Sequence, residues 1–221
     1  MMWVPPRLVL FFVLVRTGAP LECEVCSGLG KSCTGKMHTC LPNHDTCVIV
    51  LTESTLDGKM VQTVVKGCES STICNYPISH LNMGRGRFLR ISVVCCTEKT
   101  CGKDSPQLLP IETKLNGKQC PACYSWIVPC NPFILDCTGT EEYCFDVSSR
   151  IYAAEGIKDL NMQGCTTKSV CNSINHGNTP NLEGVDTVVL KAHCQPDPSR
   201  ASHSSGLLLL TFFGLLLLKI L

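Results

Sequence analysis

The sequence has few aromatic residues and little net charge, and each shortage narrows the functions that can be expected. Phe, Trp and Tyr together make up 6% of the 221 residues, so a large continuous aromatic core is not indicated. The formal net charge is +1 at pH 7, so neither nucleic acid nor an anionic membrane surface is expected as a general partner. The sequence also contains no Asn-x-Ser/Thr sequon, so we expect no N-glycosylation.

The residue patterns of catalytic and metal sites are missing as well. The six histidines show no HxH or HExxH spacing, and no serine lies in a GxSxG turn. Asp45 and Asp57 lie in predicted turns, where aspartate is favoured because its side chain hydrogen-bonds to nearby backbone. We therefore expect a protein that is not an enzyme and that uses neither a cofactor nor a metal ion.

Cysteine is abundant, with 18 residues in the sequence. Sixteen of them form two series of eight, which we call ladders, and the other two form an extra pair. The successive spacings are 3, 7, 7, 7, 21, 6 and 21 in the first ladder and 3, 7, 7, 7, 21, 6 and 23 in the second. Such a match, at an offset of 97 residues, indicates a duplicated module. The first ladder is Cys23, Cys26, Cys33, Cys40, Cys47, Cys68, Cys74 and Cys95; the second is Cys120, Cys123, Cys130, Cys137, Cys144, Cys165, Cys171 and Cys194; the extra pair is Cys96 and Cys101.

The number and density of the cysteines indicate a disulfide scaffold in an oxidising, secretory compartment. Modules of roughly 80 residues bury so little apolar surface that crosslinks must supply part of their stability. Two pairs, Cys23 with Cys26 and Cys120 with Cys123, also match the CxxC spacing of redox and zinc sites. Because both pairs occupy the first two rungs of a ladder and no βαβ pattern surrounds them, structural bridges are the favoured interpretation.

Both ends of the chain resemble processing signals. Arg7 precedes an eight-residue apolar run, which is typical of a signal peptide, and we assign residues 1–20 to it. Residues 196–221 comprise a polar spacer and a 15-residue apolar tail, a pattern that predicts glycosylphosphatidylinositol (GPI) attachment. Ser199 is the favoured attachment residue, and Ser202 is the alternative. A tail-anchor helix is the other interpretation, although 15 residues fall short of a membrane span.

Runs of β-branched residues predict hairpins between the cysteines. In the first module two such runs flank Asp57 and Gly58, which form a turn pair. The second module has Glu155 and Gly156 at the corresponding place. Residues 88–94 of the first module predict a further strand. Cys95 and Cys96 would continue that strand with their side chains on opposite faces, so they should serve different bridges.

Several short motifs surround the cysteines in both modules. They are CCTEKTC at residues 95–101, KGC at 66–68, LNGKQCPAC at 115–123, TEEYC at 140–144 and QGC at 163–165. These motifs resemble the three-finger domain of the lymphocyte-antigen-6 and urokinase-receptor superfamily. The two-domain layout is most similar to the gamma-type phospholipase A2 inhibitors and their mammalian relatives.

The resemblance implies a small disulfide-rich all-β fold made of two tandem three-finger (snake-toxin-like) domains. We place the domains at residues 21–103 and 120–195, with a linker at residues 104–119. Two prolines stiffen this linker, and we expect the modules to be able to tilt relative to each other. The resemblance also implies the pairing Cys23–Cys47, Cys26–Cys33, Cys40–Cys68, Cys74–Cys95, Cys96–Cys101, Cys120–Cys144, Cys123–Cys130, Cys137–Cys165 and Cys171–Cys194.

The leading functional hypothesis is a GPI-anchored binding protein on the extracellular face of the cell membrane. Its hairpin fingers would present loops to a protein ligand or receptor. An alternative, implied by the resemblance, is a secreted inhibitor of phospholipases A2; a third is an adhesive or spacer molecule without a dedicated ligand. The candidate contact residues, chosen at predicted hairpin tips, are Asp57, Gly58, Arg85, Arg87, Arg90, Glu155 and Gly156. The arginine cluster among them is either a contact for an acidic protein surface or a solvated loop.

Overall fold

A computed structural model describes residues 20–97, 101, 105–126, 129–153, 156–177 and 186–196. The described chain is mostly antiparallel β-structure, which confirms the predicted fold class. Four predicted features lie outside these residues: positions 1–19 of the signal peptide, the GPI-signal tail, its attachment residues Ser199 and Ser202, and Glu155. Within the described part of the chain, no helix has the length and apolar character needed to cross a membrane.

The first module contains three hairpins, which we call its first, second and third fingers. The hairpin that the sequence predicts around Asp57 and Gly58 is the second finger. Residues 88–94, predicted as a strand, lie within the last strand of the third finger. The strands are β1 (Glu22–Leu29), β2 (Lys36–Thr39), β3 (Thr46–Ser54), β4 (Val61–Glu69), β5 (Ser79–Gly84) and β6 (Arg87–Cys96), with a 3₁₀ helix at Ser71–Asn75.

The second module repeats this order with one change. Its first finger is β7 (Leu115–Ser125) with β8 (Phe133–Thr138), and its second is β9 (Tyr143–Ala153) with β10 (Gly156–Thr166). An α-helix, α1 (Lys168–Asn175), then precedes strand β11 (Asp186–Pro196). The helix buries Val170, Cys171 and Ile174 against the sheet. Strand β7 begins at Leu115, within the residues that the sequence assigns to the linker.

Nine disulfides hold the two modules, and all 18 cysteines take part in them. Cys26 and Cys123 pair with Cys33 and Cys130, so neither CxxC sequence forms a bridge of its own. The bonds are the nine that the resemblance implies: Cys23–Cys47, Cys26–Cys33, Cys40–Cys68, Cys74–Cys95, Cys96–Cys101, Cys120–Cys144, Cys123–Cys130, Cys137–Cys165 and Cys171–Cys194.

The two modules share one sheet and one apolar core. The strand order is β11-β9-β10-β5-β6-β3-β4-β1-β2, so the junction between modules is the pairing of β10 with β5. A single buried cluster contains Leu81 and Leu89 from the first module together with Phe145 and Leu160 from the second. The expectation that the modules tilt is therefore wrong for this structure, because separating them would expose this apolar surface to water.

Gly164 is the point of closest approach between the modules. Its Cα faces the backbone of Asn82, and a Cβ built on Gly164 would lie 1.9 Å from the Asn82 carbonyl oxygen. Next to it, Cys165 is paired in register with Asn82, and the Thr166 hydroxyl donates a hydrogen bond to the His80 carbonyl oxygen at 2.8 Å. Only glycine leaves enough room for the two strands to meet at this distance.

Candidate functional site

Arg90 is not a surface contact residue, contrary to the sequence-based prediction. Its side chain lies on β6, is 8% exposed, and forms an ion pair with the buried carboxylate of Glu53 on β3. Gln62 on β4 donates a second hydrogen bond to the same carboxylate at 2.6 Å. Arg90 faces Glu53 directly across the sheet, and this cross-strand register is the reason that it points inward.

Arg85 and Arg87 do lie at the exposed tip of the third finger of the first module. Arg85 and Gly86 form a two-residue turn between Gly84 and Arg87, which are paired in register. Both turn residues have positive φ, 53° for Arg85 and 73° for Gly86, as in a type I′ turn. The turn directs both arginines toward the second module.

Two aromatic rings of the second module receive these arginines. The Cζ atom of Arg85 lies 4.1 Å from the centre of the Phe133 ring, and that of Arg87 lies 5.3 Å from the centre of the Tyr124 ring. Trp126 packs edge-on against Tyr124 with ring centres 6.2 Å apart. Cation–π contacts of this kind contribute about 0.5–2 kcal/mol each. The arginine tip is therefore docked on the second module rather than freely solvated.

The second finger of the first module supports the same tip. The Thr55 hydroxyl donates to the Gly86 carbonyl oxygen at 2.6 Å and accepts from the Phe88 backbone N–H at 2.9 Å. Asp57, exposed at the end of this finger, lies close enough to affect Tyr124: burial raises the pKa of the Tyr124 hydroxyl, and the negative charge of Asp57 raises it further. Thus Asp57, Arg85 and Arg87 surround one region, whereas Gly156 belongs to the separate hairpin β9–β10.

The two arginines border a cleft of about 330 Å³ between the modules. Met83, Arg85 and Arg87 line it from the first module, and Tyr124 and Phe133 line it from the second. The Cys123–Cys130 disulfide also lines the cleft and crosslinks one of its walls. The cleft offers guanidinium N–H donors, which bind anionic groups, and aromatic faces, on which the guanidinium groups stack.

A second, buried polar contact lies where β5 meets the β8–β9 connection. The Glu141 carboxylate accepts hydrogen bonds from Asn82 Nδ2 and Thr138 N, both at 3.0 Å, and its Oε1 atom lies 3.3 Å from His80 Nδ1. Oε1 has no hydrogen bond of normal geometry among the described residues. Burial raises the pKa of Glu141, and burial together with the nearby Arg90 charge lowers the pKa of His80 to about 4.

Both groups are therefore shifted toward their neutral forms, and the contact is best described as a neutral histidine beside a carboxyl group. Asn116 fixes the loop that carries Glu141, because its side-chain amide donates to the carbonyl oxygens of Gly139 and Glu141 at 3.0 Å each. This polar contact joins the two modules, because His80 and Asn82 belong to the first module and Glu141 to the second.

Sequence reasoning missed the residues that the second module contributes. Phe133 and Tyr124 are not part of any recognisable motif, and Glu141 stands out only as part of a family motif. His80 and Glu141 are 61 positions apart, so no local pattern could have paired them.

Sulfur atoms gather at two places without forming a metal site. Cys23, Cys40 and Cys68 have sulfur atoms within 4.8 Å of one another, and so do Cys120, Cys137 and Cys165. Each of these atoms belongs to a disulfide, and a disulfide sulfur is not the thiolate that binds zinc or another soft metal ion.

Known proteins resemble this chain over both modules. The family profile described as "Phospholipase A2 inhibitor" matches residues 21–103, and the profile described as "u-PAR/Ly-6 domain" matches residues 116–198. The phospholipase A2 inhibitor NAI of Notechis ater is 30% identical over 164 residues, which cover 73% of this chain and 82% of the relative. A gamma-type phospholipase A2 inhibitor of Gloydius brevicaudus siniticus is 31% identical over 156 residues, covering 70% of this chain and 78% of the relative.

Among solved structures, the crystal structure of mouse TEX101 matches with 16% identity and a TM-score of 0.34, covering 79% of this chain and 97% of that one. A TM-score this low carries no inference about function or module arrangement. The two sequence relatives, by contrast, match at 30% and 31% identity over more than two thirds of this chain. The chain therefore belongs to the phospholipase A2 inhibitor family, a group of disulfide-rich proteins with two three-finger domains of the u-PAR/Ly-6 type.

Proposed function

We propose that this protein is a non-catalytic binding protein, held on the extracellular face of the cell membrane by a GPI anchor, whose finger loops contact an extracellular protein ligand or receptor. The observation that carries the proposal is the joining of two modules into one crosslinked unit with a shared core. Loops from both modules border one cleft in fixed positions. A surface that is already ordered loses less conformational entropy on binding, so more of its contact energy contributes to affinity.

The lipid anchor is supported by the small-residue stretch and the apolar tail that follow the last cysteine. Cells that express the full chain should release it from their surface when they are treated with a phosphatidylinositol-specific phospholipase C. A matched variant that lacks residues 206–221 should be secreted into the medium without treatment. Surface protein that resists the enzyme while a known GPI-anchored protein is released would contradict lipid anchoring.

Attachment can also be assigned to a residue. Ser199→Leu should block anchoring if Ser199 accepts the lipid, because the transfer reaction requires a small residue at that position. Ser202→Leu serves as the control, and it should be the disruptive change if the alternative residue is used. Unchanged release for both variants would show that the lipid is attached elsewhere.

A second candidate function is inhibition of a secreted phospholipase A2. It is supported by the relatives, several of which are named phospholipase A2 inhibitors, and by the matching profile over the first module. The released protein should then lower the activity of a secreted phospholipase A2 toward phospholipid vesicles in a saturable, stoichiometric manner. Activity that stays unchanged at a large molar excess of the protein over the enzyme would rule this candidate out.

A further inference from the structure

The cleft between the modules contains two guanidinium groups that have no ion-pair partner among the residues that the structure describes. A guanidinium has five N–H donors in its plane, and stacking on an aromatic ring occupies only its face. Arg85 stacks on Phe133 and Arg87 on Tyr124. Among the described residues, no carboxylate forms an ion pair with either arginine, although Arg90, Arg150 and Lys66 each have such a partner.

Both arginines are held in place by their surroundings. Arg85 has φ of 53°, and a non-glycine residue in this left-handed region costs roughly 1–2 kcal/mol that other contacts must offset. Gly84 packs directly on Phe133, since a Cβ at Gly84 would lie 2.9 Å from the Phe133 Cζ atom. Together with the Thr55 hydrogen bonds to the turn, these contacts orient the guanidinium edges before any ligand arrives.

The net positive charge beside the cleft would be neutralised by a ligand with a single negative charge. Arg85 and Arg87 contribute two positive charges, and Asp57 beside Tyr124 offsets one of them. Recognition of anionic phospholipid surfaces depends on clusters of about four to eight basic residues, whereas the whole chain has a net charge of +1. The local chemistry therefore favours a monoanionic carboxylate over a phospholipid headgroup.

We propose that this cleft binds an aspartate or glutamate side chain presented by a partner protein, with the carboxylate held between the guanidinium edges of Arg85 and Arg87. Charge-assisted hydrogen bonds from arginine to carboxylate are frequently bidentate and add directional specificity. The inference rests on the proposed function as a protein-binding molecule and names the chemistry that one of its contact surfaces recognises. It requires residues of both modules, so a single isolated module would not provide the site.

The test uses full-length protein, processed by mammalian cells and labelled with ¹³C in the methionine methyl groups. The probe is the peptide acetyl-(Asp)₆-amide, with acetyl-(Asn)₆-amide as the uncharged control. Met83 lines the cleft and should shift on titration with the aspartate peptide, whereas Met37 on the exposed β2 strand should not. Met162, buried in the shared core, reports that each variant remains folded.

Arg85→Gln and Arg87→Gln should each lower the affinity for the aspartate peptide by about tenfold or more, since each removes a hydrogen bond to a charged group. Arg87→Lys should weaken it less, because it retains the charge but not the planar fork. Arg150→Gln is the matched control, because Arg150 is paired with Asp159 on β9 and β10, away from the residues that line the cleft. Its affinity should equal that of the unmodified protein.

The inference would be overturned by the absence of a Met83 shift, by equal binding of the asparagine peptide, or by full affinity in both glutamine variants. Arginine-dependent binding to phosphatidylserine vesicles that exceeds binding to the peptide would assign the cleft to lipid instead, and would also refute it. Failure here is distinguishable from failure of the proposed function. Release of the protein from cells by phosphatidylinositol-specific phospholipase C without a Met83 shift would refute only the carboxylate site. A Met83 shift without such release would refute only the lipid anchor.

Discussion

Replacing Gly164 by alanine is the most direct perturbation of the junction between the modules. The Cβ of an alanine would lie 1.9 Å from the Asn82 carbonyl oxygen and 2.8 Å from its carbonyl carbon, both of them backbone atoms that cannot rotate away. Gly164 does not have a positive φ, so alanine suits its own backbone conformation. Once the general effect of replacing a strand glycine is subtracted, the change in stability therefore reports the contact between β10 and β5.

The expected cost follows from two contributions. Forcing an additional carbon into a packed interior typically costs 1–3 kcal/mol, or roughly 2 here because β5 must shift as a unit. The shift also weakens the hydrogen bond from Thr166 to His80, which contributes about 1 kcal/mol. We expect Gly164→Ala to lower the free energy of unfolding by about 2–4 kcal/mol, a large part of the roughly 5–15 kcal/mol that a typical folded domain has.

Gly67→Ala is the matched control. Gly67 lies within strand β4, a Cβ there would meet no atom within 4 Å, and its φ is not positive. Alanine at this position should be neutral or stabilise by roughly 0.5–1 kcal/mol, as expected when glycine is removed from a strand. Both variants can be compared by equilibrium urea unfolding with the disulfides intact, and by hydrogen exchange of β5.

We expect Gly164→Ala to lower the urea midpoint and to accelerate hydrogen exchange in β5, whereas Gly67→Ala should do neither. If the two variants unfold at the same urea concentration and β5 stays equally protected, the close approach of Asn82 to Gly164 is absent in solution. The shared core would then have to be abandoned, and the cleft that depends on it as well.

Three further predictions follow from contacts elsewhere in the molecule. Arg90→Met leaves the buried Glu53 carboxylate without its cation and should lower the free energy of urea unfolding by about 3–5 kcal/mol. Adding Glu53→Met should restore most of this loss, and a double variant whose loss equals the sum of the two single losses would contradict the prediction. The pKa of His80 is about 4 in the folded protein, lowered by burial and by Arg90 against the opposing charge of Glu53, so the unfolded chain binds more protons between pH 4 and 6.5 and stability should fall as pH falls through that window. Glu141 has a raised pKa in the folded protein, so its titration changes the free energy of unfolding in the opposite direction. His80→Gln should remove only the loss of stability that His80 causes, and a variant whose stability depends on pH as in the unmodified protein would refute this. Removing the disulfide Cys171–Cys194, which spans 23 residues, should destabilise the protein by about 3 kcal/mol, because a longer loop gains more entropy in the unfolded chain. Removing Cys96–Cys101, which spans 5 residues, should cost about 2 kcal/mol. A larger loss of thermal stability for Cys96–Cys101 than for Cys171–Cys194 would contradict this prediction.

Local features of the fold were predictable because they depend on neighbouring residues. The hairpin β3–β4 follows from β-branched runs around Asp57 and Gly58, whose side chains and backbone angles suit a turn. Helix α1 was not anticipated, since its eight residues offer too few turns for a periodic pattern to stand out. Gly58 lies between β3 and β4, and Gly156 is the first residue of β10, so the predicted turn pairs lie near the connections of these two hairpins.

Arg90 shows where local reasoning fails. In the sequence it is close to Arg85 and Arg87, and its place within the predicted strand 88–94 does not say whether its side chain faces the interior or the solvent. Its burial is decided by Glu53, 37 residues earlier, which lies opposite on the neighbouring strand. Only the strand register can reveal that one arginine of the three is an internal ion-pair partner while the other two line a cleft.

The repeated cysteine framework, the two modules and their hairpins could be predicted without a structure, because spacing and periodicity are properties of the linear chain. The shared core, and the contacts of Arg85 and Arg87 with Phe133 and Tyr124, could not. These contacts join residues that are far apart in sequence, and they depend on how strand β5 approaches Gly164. Their stability comes from apolar surface and close packing between modules, which no single segment of the chain encodes.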